Sequence, residues 1–69
     1  MSIRFERFQP EYIRRDKLDD HVWSQYGGEC DTLEEAMTRV SFMRRLRGND
    51  YTFRIMKTII IKEVIQIGA

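Results

Sequence analysis

Hydrophobic and polar residues alternate most strictly towards the end of the chain. Between residues 51 and 67, Tyr51, Phe53, Ile55, Ile59, Ile61, Ile65 and Ile67 share one parity, interrupted only by Lys57 and Glu63. The other parity reads Thr52, Arg54, Met56, Thr58, Ile60, Lys62, Val64 and Gln66. A period of two predicts strand structure. One apolar and one mixed face suit a sheet covered by a helix on one side. The run is long beside a mean strand of about 5–6 residues. It therefore reads either as one long strand or as two, broken near Lys57-Thr58, although the Gly or Asn of a tight turn is absent there. An unpaired Ile59-Ile60-Ile61 at a sheet edge would invite aggregation, so the run is expected to be central or self-paired across a homodimer.

Ahead of it the period changes. From Asp31 to Gly48, Leu33, Ala36, Met37 and Val40 recur at helical spacing, with Met43 at the margin. Thr32-Leu33-Glu34-Glu35 is a capping box, with Asp31 an alternative cap one residue earlier. Gly48 followed by Asn49-Asp50 closes the far end. Acids at the first turn (Asp31, Glu34, Glu35) and arginines at the last (Arg44, Arg45, Arg47) complement the helix dipole. A helix this short is marginal alone in water, so its apolar stripe needs a sheet or a second copy to rest on. Phe42 and Leu46 stand off that stripe, bordered by Arg39 and Arg45. An apolar spot rimmed by arginine suits a protein–protein contact, unless a second layer covers Phe42.

Residues 3–15 read as extended: Ile3, Phe5, Phe8, Tyr12 and Ile13 interleave with Arg4, Arg7, Arg14 and Arg15. Pro10, lacking an N–H, belongs at a break, bulge or edge, which divides this region into a strand within 3–8 and a second element at 11–15. Arginines alternating with aromatics also offer a nucleic-acid reading through Arg4, Arg7, Tyr12, Arg14 and Arg15. The same residues equally describe a solvated edge strand whose arginines block edge pairing.

Residues 21–26 alternate as a further strand containing Trp23, the only tryptophan, expected in the core with its indole N–H bonded or, half-exposed, as a partner anchor. Gly27-Gly28 turns towards the helix. A double glycine before a helix can cradle phosphate, but Glu29, Asp31, Glu34 and Glu35 crowd that site with negative charge. Asp19-Asp20-His21 does not converge on a metal ion. A Cys30–His21 nucleophile pair lacks an orienting group and an oxyanion site. Cys30 reads as a small buried hydrophobe near the cap.

Composition narrows the choice further. Sixty-nine residues permit one domain, 1–69, with a correspondingly small core. A single cysteine and a single histidine provide neither a disulfide framework nor a four-ligand zinc site. No metal or other cofactor is expected, and oligomerisation is a natural source of added stability. Net charge is +1, against a dominant non-specific nucleic-acid binder. Nine of the twelve cations are arginine, the residue of bidentate and stacked interface contacts. The start of the chain is not a signal peptide and no run is long enough to span a bilayer, so no membrane association and a cytoplasmic, reducing setting are expected.

Asp31-Thr-Leu-Glu-Glu-Ala36, its amphipathic helix and the following Tyr-x-Phe-x-Ile strand resemble a layout found among very small phage-encoded proteins, including an inhibitor of bacterial RNA polymerase. The arginine-rich first segment and the isoleucine-rich end depart from that layout. The resemblance implies a non-catalytic protein that docks on a host enzyme. The residues and the resemblance together give an α+β expectation. Three or four mainly antiparallel strands carry one helix, about 32–47, packed on one face. The expected core is Phe5, Trp23, Leu33, Ala36, Met37, Val40, Phe53, Ile55, Ile59 and Ile61. The expected role is a small, non-enzymatic interaction module binding a host protein through Arg39, Phe42, Arg45 and Leu46.

Overall fold

The computed structural model describes residues 1–68. It is an α+β fold with one helix and a three-stranded antiparallel sheet, in which Ser2–Arg14 lies between Ser24–Gln25 and Tyr51–Glu63. Strand β1 spans Ser2–Arg14, β2 Ser24–Gln25, helix α1 Leu33–Arg47 and β3 Tyr51–Glu63. Short 3-10 turns, Arg15–Asp20 and Gly48–Asp50, follow β1 and α1.

The β1–β3 ladder is unbroken from Ser2↔Glu63 to Arg14↔Tyr51. Residues 51–63 of the isoleucine-rich run are therefore one strand with no bend at Lys57-Thr58, while residues 64–67, expected to continue it, lie beyond its end. Residues 3–15 are likewise not divided at Pro10. The Tyr26 N–H donates to the Pro10 carbonyl (2.9 Å), and the Phe8 N–H and carbonyl pair with Cys30 (2.9 and 2.7 Å). Even-numbered residues of β1 thus turn their backbone groups away from β3, and the N–H that Pro10 lacks belongs to the β2 side. There the ladder is interrupted: Glu11↔Gln25 and Phe8↔Cys30 are out of step, and Gly27-Gly28 bulges between them. The buried Gln9 amide fills the gap, donating to the Pro10 carbonyl (2.9 Å) and the Gly27 carbonyl (3.2 Å). A proline in a central strand is tolerated because it sits at this break.

The 21–26 strand is shorter than its alternation predicts. His21 takes a left-handed backbone (φ 55°) that closes the 3-10 turn, leaving only Ser24 and Gln25 to pair.

The helix begins where its cap predicts, with the Thr32 hydroxyl accepting from the Glu35 N–H (3.2 Å). It ends at Gly48, whose φ of 68° suits glycine. Its buried stripe is rotated from the expected one. Ala36 and Met43 are buried and Val40 half-buried, whereas Leu33 and Met37 are 47% and 55% exposed. Ala36 (0% exposed) lets the helix approach closely, and it clusters with Phe8, Cys30 and half-buried Ile55. Ile13 is buried as well. Phe5, Ile59 and Ile61, expected in the core, are exposed, and Trp23 and Phe53 are half-buried.

The reason is length. The core lies under α1, but β1 and β3 run on together beyond it. The molecule measures 60 × 25 × 12 Å, with a radius of gyration of 16.6 Å; a compact domain of this size has about 11 Å. The far half of the ribbon, residues 2–6 against 59–63, has no helix on it.

Candidate functional site

Two surfaces collect the candidate residues. The first is the flank of α1 nearer β2. At 100° per residue Arg39, Phe42 and Leu46 fall together on that flank, and Arg45 lies one turn from Phe42 on the solvent side. Phe42 is 55% and Leu46 67% exposed; no second layer covers either among the described residues. Tyr26, Gly27, Gly28, Thr38, Arg39 and Phe42 line an open groove beside them. Arg39 is held in place: its Nη1 donates to the Gly28 carbonyl at 2.8 Å. Gly27 is left-handed (φ +70°), and a Cβ there would stand 2.9 Å from Arg39 Nη1. The double glycine thus shapes a seat for a guanidinium, not a phosphate cradle.

The second surface comprises the N-terminal arginines, which the strand divides. Successive side chains of β1 point to opposite faces, so Arg4, Tyr12 and Arg14 share the helix-bearing face and Arg7 lies on the other. Arg4 pairs with Glu6 (3.1 Å), Arg14 with Asp16 (3.3 Å) and Arg7 with Asp31. Tyr12 packs edge-on against Tyr51, their centroids 5.7 Å apart. Arg15 is exposed in the 3-10 turn after the strand. These five residues do not form one basic stripe, and three of the four arginines are paired with carboxylates.

On the face opposite α1, Arg54 lies 4.2 Å from the centroid of the Trp23 ring and its Nε donates to Glu11 at 2.7 Å. This stack, which the alternation alone does not disclose, accounts for Trp23 being half-buried. Cys30 is 1% exposed, beneath the helix and paired through its backbone. Among the described residues no three His, Cys, Asp or Glu side chains are grouped to hold a metal ion, and no helix is long and apolar enough to cross a membrane.

No protein-family model, curated protein or solved structure matches this chain.

Proposed function

We propose that this chain is a small, non-enzymatic interaction module that binds a host protein, in the manner of phage or mobile-element proteins, through Arg39, Phe42, Arg45 and Leu46. The observation that carries the reading is the exposure of Phe42 beside a guanidinium fixed by a backbone carbonyl. A large apolar side chain next to an ordered arginine is the composition of an interface hot spot. The complementary surface is an apolar pocket bordered by carboxylates, which would meet Phe42 and Leu46 while pairing with Arg39 and Arg45. In this reading the protein works in the cytoplasm, where its single thiol stays reduced.

Affinity capture from a bacterial lysate, with bound proteins identified by mass, tests the surface. Wild type is compared with Phe42→Asp and Arg45→Glu, each verified as folded by circular dichroism. A protein retained by wild type and lost from both variants supports the assignment. Equal capture by the variants, or no specific capture, refutes it.

A further inference from the structure

The open edge of β3 lies on the other side of the helix from the surface just described and is independent of that reading. The Val64 N–H donates to the Met1 carbonyl (2.8 Å), so even-numbered residues of β3 direct their backbone groups at β1. The odd ones, Lys57, Ile59, Ile61 and Glu63 among them, direct theirs outward. No strand covers this edge among the described residues. Its side chains include Ile59 (47% exposed) and Ile61 (69%), followed by Ile65 (80%) and Ile67 (92%). An edge of this length with exposed isoleucines beside it is open to pairing with another strand.

We propose that a second copy of this chain covers the edge, pairing β3 antiparallel with β3 of its partner about a two-fold axis at Ile60. The surface of one chain is 5801 Å², about 1,200 Å² more than a folded monomer of this mass exposes. A standard interface removes about 800 Å² per partner, so the excess is enough to supply one.

The register follows from the side chains. With Ile60 opposite Ile60 of the second copy, Ile59 faces Ile61 and Lys57 faces Glu63, each pair occurring twice. Met56 faces Val64, and Thr58 faces Lys62. Moving the axis to Ile59 or Ile61 sets Lys57 against an isoleucine and Glu63 against another, so neither charge gains a partner across the seam. Moving it to Thr58 brings Arg54 against Lys62, and moving it to Lys62 sets two lysines together. Opposite charges directly across a ladder stabilise it, and like charges destabilise it.

The same register gives the end of the chain a destination. Ile65 and Ile67 of one copy come opposite Ile55 and Phe53 of the other. Beside those residues, Met37 and Val40 of α1 line an open groove along the β3 edge. The exposed Met37 and the exposed end of the chain thereby cover each other, and the two-fold makes the contact reciprocal and closed. The result is a six-stranded antiparallel sheet with both helices on one face. The free edge of β1 is a poorer candidate. It extends only over Ser2–Glu6 before Cys30 occupies it, and its outward residues Arg4 and Glu6 already pair with each other.

Sedimentation equilibrium over a wide concentration range, on the full chain, tests the proposal. Wild type is expected at twice the 8.4 kDa chain mass, dissociating on dilution. Lys57→Glu and Glu63→Lys each weaken association tenfold or more, and the double exchange restores it. Ile61→Pro abolishes it with circular dichroism unchanged, because that N–H points away from β1. A wild type at the chain mass throughout, an assembly larger than two copies, a double exchange no tighter than the single ones, or an Ile61→Pro protein that still dimerises would each overturn the proposal.

Discussion

Lys57 and Glu63 project from the same face of β3 at equal separations on either side of Ile60. Opposite charges placed symmetrically about an apolar centre are what an antiparallel strand needs to recognise its own copy. Within one chain Lys57 reaches Glu6 (3.2 Å), so its intramolecular partner comes from the far half of the ribbon. The pairing also fixes a distance. Ile60 and its counterpart form a non-hydrogen-bonded pair, with Cα atoms about 4.5 Å apart, within the range a disulfide spans. Cys30 is buried, so an Ile60→Cys chain has one accessible thiol. Mild oxidation is expected to link it into a covalent dimer on a non-reducing gel, and to link Ile61→Cys far less.

The cap at Thr32 gives a second prediction. Its hydroxyl satisfies the Glu35 N–H, and alanine removes that acceptor. Thr32→Ala is expected to lose about 1 kcal/mol of stability, seen as a lower urea midpoint with an unchanged slope.

Gly27 is the third. Its left-handed backbone (φ +70°) disfavours any side chain, at a cost of about 1–2 kcal/mol. A methyl group there also displaces the Arg39 guanidinium from the Gly28 carbonyl. Gly27→Ala is expected to lower the thermal midpoint and, if the proposed interface holds, to weaken capture of the protein it retains. Arg39→Ala shares the binding defect without the backbone strain.

Ala36 is the fourth. It is fully buried against Phe8 and Cys30, leaving no room for a larger side chain. Ala36→Leu is expected to destabilise by about 1–3 kcal/mol through overpacking, measured by chemical unfolding. Met37→Leu, on the exposed flank of the same helix, is expected to be nearly neutral when association is held constant.

The helix was legible because its ends are written chemically: Thr32 with Glu35 at one, Gly48 at the other. The final strand was legible from its parity. The rotation of the helix was not, because Leu33, Met37, Val40 and Met43 all make acceptable stripes in isolation. Ala36 over Phe8 decides between them, and that contact joins distant parts of the chain. Pro10 does not divide β1 into the two elements its missing N–H suggests. It interrupts the ladder to β2 while leaving the ladder to β3 intact, and only the direction of its missing N–H distinguishes the two. Phe5, Ile59 and Ile61 were expected in the core because their alternation is that of a buried strand. In one chain they extend past the helix, so the pattern records a surface that needs covering without saying what covers it. The Arg54–Trp23 stack joins residues far apart in sequence, and neither residue alone announces it.

Residue-resolved amide hydrogen exchange along β3 tests the central claim most directly, because neighbouring amides there point in opposite directions. Ile60 and Lys62 bond to β1 in any state, whereas Ile59 and Ile61 have a partner only if a second copy supplies one. At concentrations where the mass is doubled, all four are expected to exchange slowly, with Ile59 and Ile61 losing protection on dilution. Fast exchange at Ile59 and Ile61 beside slow exchange at Ile60 and Lys62, at every concentration, would contradict the account.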